Sequence, residues 1–168
     1  MDLIKRYGTN FKVSFSISGS ALEQFALHAP EVIESFKELA KTGSVEFLAE
    51  TYAHSLASLS DTDEFERQVQ RHAAKMEELF GQKPVTLRNS SLIYSDQIGE
   101  RVAAMGFESM LTDGAKHVLG WKSPNFVYTN VMNPRLKLLL KNSRLSDDLT
   151  LRFSDHSWHE WPLTADKY

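Results

Sequence analysis

The stretch PVTLRNSSLIYSD, Pro84 to Asp96, runs from a short β-forming segment through a polar turn into the start of a helix. Pro84 introduces a strand at Val85-Thr86-Leu87, and Arg88-Asn89-Ser90-Ser91 supply the turn. Ser95 stands where a helix needs a side-chain cap. Behind it Ile98, Val102 and Met105 share one face, and Gly106 terminates the run. A strand that turns directly into a helix is the repeating unit of a parallel α/β fold.

The same order recurs on both sides. Phe11 to Ser18 alternates with period two and stops at Gly19. Ala21 to Lys41 has helical period, with Pro30 as the first-turn residue of a second helix. Val32, Ile33, Phe36, Leu39 and Ala40 lie on one face of it, and Thr42-Gly43 ends it. Val45 to Leu48 forms a second strand leading into AETYAHS. Asp61 or Thr62 then caps a long helix with Phe65, Val69, Ala73, Met76 and Leu79/Phe80 inward, stopped at Gly81. Ser109 to Thr112 is a fourth strand ending at Asp113-Gly114. A loop from Trp121 to Pro134 follows, then a fifth strand at Leu136 to Leu140. Leu149 to Phe153 reads as a sixth, ending at Ser154-Asp155-His156. The order predicts a parallel sheet covered by helices, either a barrel or an open doubly wound sheet, as one domain over residues 1–168.

Composition narrows the function. A net charge of −3 without a Lys/Arg cluster gives no electrostatic reason to expect a nucleic-acid partner. The absence of cysteine removes thiol catalysis, disulfides and Cys-ligated zinc together. No apolar run approaches the ~20 residues of a membrane span. Met1 leads into DLIKRYG rather than an apolar signal segment, so the expected location is cytoplasmic, away from any membrane.

Ligands of parallel α/β folds bind at the carboxyl ends of the strands. Those ends read Ser16/Ser18, Glu50-Thr51-Tyr52-His54, Asn89-Ser90-Ser91, Asp113, Asn142 and Asp155-His156-Trp158-His159. Such a mixture of hydrogen-bonding groups and aromatics suits a sugar, although Ser and Asx residues after strands also serve as turn formers and caps. A nucleophile elbow would need G-x-S-x-G, and RNSSLIY has no glycine. No glycine cluster follows a strand, so no phosphate loop is expected. His54, Asp155, His156 and His159 could in principle ligate a metal, but solvated surface histidines explain them more simply. A metal-dependent polysaccharide deacetylase would carry a second histidine four residues after His54, where Ser58 stands. Neither a metal nor a cofactor is expected.

Four blocks carry a resemblance: FKVSFSISG (Phe11–Gly19), APEVIESFKELAKTGSVEFLAETYAHSLASL (Ala29–Leu59), LRNSSLIY (Leu87–Tyr94) and RFSDHSWHEWPLTADKY (Arg152–Tyr168). In that order they resemble the α-amylase branch of glycoside hydrolase family 57. The resemblance implies an incomplete (β/α)7 TIM-like barrel followed by a helical region, acting on α-linked glucans with retention of configuration. Retention requires two carboxyl groups about 5–5.5 Å apart. By position, Gly43-Ser44-Val45-Glu46 looks like the family's second motif, and His54 like a substrate-contacting histidine. Arg88-Asn89-Ser90-Ser91 looks like the third motif, which carries the nucleophile.

Here the chain departs from the pattern. Active members have glutamate at the position of Ser91, and a serine hydroxyl without an adjacent base is a poor nucleophile. The family's opening His-Gln-Pro motif would precede Met1, and the motif with the acid/base aspartate would follow Tyr168. Asp155 belongs to a different block and does not replace that aspartate. The expectation is therefore a central piece of the barrel, about six strands, with open edges prone to self-association. Ser91 marks the catalytic position without performing its chemistry. Glu46, Tyr52, His54, Asn89, Asp113 and Trp158 are the expected contacts to an α-glucan or maltooligosaccharide. The function expected is an α-amylase-like protein without hydrolysis. The alternatives are a non-catalytic glucan-binding or regulatory module and a truncated gene product.

Overall fold

In the computed structural model, which describes residues 2–168, the parallel strands bury one face under helices, and Ser14, Glu46, Thr86 and Ser109 form a polar row on the other. Helix α1 (Asp2–Tyr7) leads into β1 (Val13–Phe15), followed by α2 (Gly19–His28) and α3 (Pro30–Ala40). β2 (Val45–Phe47) precedes α4 (Thr62–Phe80), and β3 (Thr86–Arg88) precedes α5 (Asp96–Ala104). Then come β4 (Ser109–Asp113), α6 (Lys116–Leu119), β5 (Val127–Thr129), β6 (Lys137–Lys141) and α7 (Ser143–Asp147).

β1 and β2 pair in parallel, with Ser14 opposite Glu46. β3, β4 and β6 pair in parallel in that order, with Thr86 opposite Ser109 and Ser109 opposite Lys137. The two groups are joined at Ala49, whose N–H donates to the Thr86 carbonyl at 2.9 Å and whose carbonyl accepts from the Arg88 N–H at 2.7 Å. The wall thus runs β1-β2-β3-β4-β6-β5 without closing, the α/β parallel arrangement of a barrel fragment.

Side-chain alternation sorts the two faces. Phe47, Leu87, Met110 and Leu138 point under the helices and are buried. They fall in two apolar clusters: Phe47 with Leu22, Ile33, Met76 and Phe80, and the other three with Phe65, Val69, Ile98 and Val102. α4 serves both, giving Phe65 and Val69 to one and Met76 and Phe80 to the other. Phe47 and Phe80 stack with ring centroids 4.2 Å apart. The opposite face carries a hydrogen-bonded row. Glu46 accepts from the Ser14 hydroxyl at 3.1 Å and the Thr86 hydroxyl at 2.7 Å, and Thr86 meets Ser109 at 2.8 Å. A closed eight-stranded barrel normally fills that side with branched aliphatics.

Local chemistry places the helix ends. The Asp61 carboxylate, rather than Thr62, caps α4 by accepting from the Glu64 N–H at 3.0 Å, and Gly81 ends it in a left-handed conformation. Ser95 caps α5 through the Ile98 N–H, and Pro30 stands in the first turn of α3. Two expected elements differ. Val127–Thr129, inside the predicted loop, is β5 and lies antiparallel to β6. Leu149 to Phe153 is not a strand: α7 runs on into a π-helical turn, Asp148–Arg152. Alternation over five residues does not fix the period, and here the Asn142 side chain caps a helix by accepting from the Leu145 N–H at 3.2 Å. Asp155 to His159 therefore follow a helical turn rather than a strand.

Phe47→Ala should lower the stability of the chain by about 3–5 kcal/mol through the cavity left beneath Phe80 and Phe36. The shift in urea midpoint at constant slope measures it.

Candidate functional site

The polar face deepens at the carboxyl end of β2, where Glu50 lies two alternations beyond Glu46 on the same side. Its side chain is 3% exposed. The Ser16 hydroxyl donates to Oε2 at 2.5 Å, and the Arg88 guanidinium stands 3.6 Å from the same oxygen. The other oxygen, Oε1, lies 4.0 Å from Nδ1 of His54. A near-buried carboxylate is tolerated where a cation and hydrogen bonds replace its hydration, as Arg88 and Ser16 do here.

His72 of α4 supports this point from beneath. Its Nδ1 accepts from the Glu50 N–H at 3.3 Å, and its Nε2–H donates to the Ile17 carbonyl at 2.8 Å. One neutral ring therefore ties the ends of β1 and β2. Burial pulls its pKa below the usual 6.5, against the opposing effects of the Ile17 carbonyl and the Glu50 charge. The helical period of the sequence sets Ala73 on the inner face of α4. His72 takes that place, and its signal was the 65-69-72-76 stripe, which ignores polarity.

The loops above are held in unusual conformations. His54, Ser91 and Leu92 have φ of 54°, 53° and 56°, the left-handed region that is costly for residues with a Cβ. The surroundings fix them. The Thr51 hydroxyl meets the Ser90 hydroxyl at 2.8 Å and accepts from the Ser55 N–H at 2.8 Å, tying the β2 and β3 loops together. Asn89, fully buried, donates to Ser58 and to the Ile93 carbonyl, both at 2.9 Å, and accepts from the Ser90 N–H. The turn presents Ser91 at the surface, where its hydroxyl has no hydrogen-bond partner among the described residues.

The remaining residues named from the sequence fall in different places. Tyr52 is buried, donating to Glu23 at 2.5 Å under the Arg71 guanidinium, which lies 3.8 Å from the ring centroid. Burial and the Glu23 carboxylate both raise the pKa of its hydroxyl. Glycine is required opposite, since a Cβ on Gly19 would come within 2.5 Å of the Tyr52 ring. Glu46 belongs to the hydrogen-bonded row deeper in the wall. Asp113 is exposed at the end of β4 and accepts from the Ser143 hydroxyl at 3.1 Å. Trp158 lies apart, in an open cleft of about 850 Å³ shared with Asn142, Arg144, Arg152 and Tyr168. The structure thus gathers His54 and Ser91 on tied loops, and adds Glu50, Arg88 and Ser16 to them. No group of three or more His, Cys, Asp or Glu side chains among the described residues is arranged to hold a metal ion. No helix among them is long and apolar enough to cross a membrane.

The chain matches the family described as glycosyl hydrolase family 57 over residues 1–168. It is 44% identical to a Methanocaldococcus jannaschii protein named "Putative alpha-amylase", over 100% of this chain and 35% of that protein. The chain therefore spans about a third of that relative's length. The structure is similar to a 4-alpha-glucanotransferase from Thermococcus litoralis, with a TM-score of 0.75 and 15% identity over 89% of this chain and 24% of that one. It is also similar to a de-N-acetylase from Aggregatibacter actinomycetemcomitans, with a TM-score of 0.56 and 14% identity over 83% and 62% of the two chains. Structural likeness at these identities reports the fold alone.

Because His72 is neutral when folded and binds a proton more readily when unfolded, its contribution to stability is complete above about pH 6.5 and is lost as the pH falls below that value. The loss is at most about 1.4 kcal/mol per pH unit. Chemical unfolding between pH 7.5 and 5 should show this slope in the native chain, and a shallower one in His72→Asn.

Proposed function

The chain belongs to glycosyl hydrolase family 57, and from that premise we propose that it is an α-amylase-like protein that binds α-linked glucan without hydrolysing it. The observation that carries this reading is Ser91. Its hydroxyl stands alone at the surface of a fixed turn, at the position where the resemblance implies the nucleophilic carboxylate. Retaining hydrolysis requires a carboxylate there to attack the anomeric carbon and stabilise the oxocarbenium-like transition state. A hydroxyl with no neighbouring base supplies neither the charge nor the nucleophile.

The groups that would recognise a sugar remain. His54 and Asp113 reach solvent at the strand ends and serve as direct contacts. Asn89 and Tyr52 act by holding the loops, and Glu46 by ordering the wall beneath them. Trp158 offers a stacking surface in its separate cleft. The same reading takes the chain as the central part of the barrel. β1 and β5 are the terminal strands of the described wall, with no strand on their outer sides, so they are the natural places for self-association.

Calorimetric titration with maltoheptaose should give measurable binding, with no new reducing ends after prolonged incubation with maltoheptaose or glycogen. Reducing ends released by the chain and abolished by Ser91→Ala would overturn the non-hydrolytic reading. Absence of heat at millimolar maltoheptaose would overturn binding. Sedimentation should show a concentration-dependent shift from monomer to larger species. A single monomeric species at every concentration would remove the edge-pairing element.

A further inference from the structure

The two oxygens of the Glu50 carboxylate have different surroundings. Oε2 is taken up by the Ser16 hydroxyl and faces Arg88. Oε1 receives no hydrogen bond, and His54 Nδ1 stands 4.0 Å from it. Among the described residues every fully buried side-chain nitrogen or oxygen has a partner, so Oε1 is not sealed in. Across the 4.0 Å separation stands His54, itself exposed and held in a left-handed conformation.

The 4.0 Å gap is too long for a direct hydrogen bond. It suits one bridging oxygen: an atom about 2.8 Å from each group subtends roughly 90° between them, within reach of the donor and acceptor directions of a hydroxyl. The charges restrict what can occupy it. A cation would have two protein ligands and the Arg88 guanidinium nearby, while an anion would meet the Glu50 carboxylate. A neutral oxygen that both donates and accepts satisfies both groups.

Resting on the glucan-binding reading above, we propose that Glu50 and His54 form a two-point clamp for a single saccharide hydroxyl, with Oε1 accepting its proton and Nδ1–H donating to its oxygen. Ser16 and Arg88 keep the carboxylate turned so that Oε1 faces the gap. His72 fixes the backbone at Glu50, so the clamp is set before the sugar arrives. The carboxylate makes this a charge-assisted hydrogen bond, stronger than one between neutral groups.

The test is a double-mutant cycle with maltoheptaose as the probe, on the whole chain, using Glu50→Gln, His54→Ala and the double variant. Thermal unfolding checks that each is folded. Each single variant should lose about tenfold in affinity, and the double variant much less than the product of the two losses. The native chain labelled with ¹⁵N at histidine should also show the His54 ring nitrogens shifting on saturation with maltoheptaose. Single variants that bind like the native chain overturn the clamp and leave glucan binding standing. Additive losses overturn the pairing of the two groups. No binding by the native chain overturns the glucan-binding reading and the clamp with it. Should Glu50→Gln fail to fold, unmoved His54 ring signals at saturating maltoheptaose overturn the clamp on their own.

Discussion

Two backbone hydrogen bonds at Ala49 hold the wall together. Its N–H and carbonyl reach across to Thr86 and Arg88, and through them the β1-β2 pair becomes continuous with the strands beginning at β3. The consequences follow one residue at a time. Glu50, next along the chain, is brought beside Arg88. Thr51, one further, meets Ser90. Ala49 is fully buried among Phe65, Val69 and Leu87, so a larger side chain would have to displace α4 to keep the bridge.

α4 supplies the second constraint. Its apolar residues reach both clusters, and in the middle of that stripe it presents a histidine instead of a hydrocarbon. A buried imidazole is tolerated because both nitrogens are used, one by the Ile17 carbonyl and one by the Glu50 N–H. Those groups stand at the ends of two strands, where backbone pairing runs out. The ring replaces the missing partners and transmits the position of the helix to the floor of the site.

The conformational cost at the site is concentrated in the loops over that floor. His54, Ser91 and Leu92 adopt backbone conformations that glycine would accept more readily. Asn89, Ser90 and Thr51 hold them by buried hydrogen bonds between the loops. Such over-determination keeps the turn at the third strand in place even though its surface residue is serine. The shape of the turn thus rests on Asn89, Ser90 and Thr51 and not on the exposed side chain of Ser91.

The sequence by itself determined the order of most elements, the helix caps at Ser95 and Asp61, and the turns that gather polar residues after β2 and β3. These depend on local chemistry and period, which one strand or helix carries alone. It also contained the blocks that tie the chain to its family. It misread Leu149 to Phe153, where five residues fit either period and the capping Asn142 decided for the helix. It overlooked β5, whose pairing with β6 depends on a partner ten residues away. Tertiary structure alone decided which polar residues serve the fold and which face the solvent. Asn89 and Tyr52 look like ligands in the sequence but spend their groups on Ser58 and Glu23, whereas Glu50 and His72 acquire their roles from strands and a helix that only folding brings together. A side chain's hydrogen-bonding capacity is written in its type, but whether that capacity is already used depends on neighbours distant in sequence.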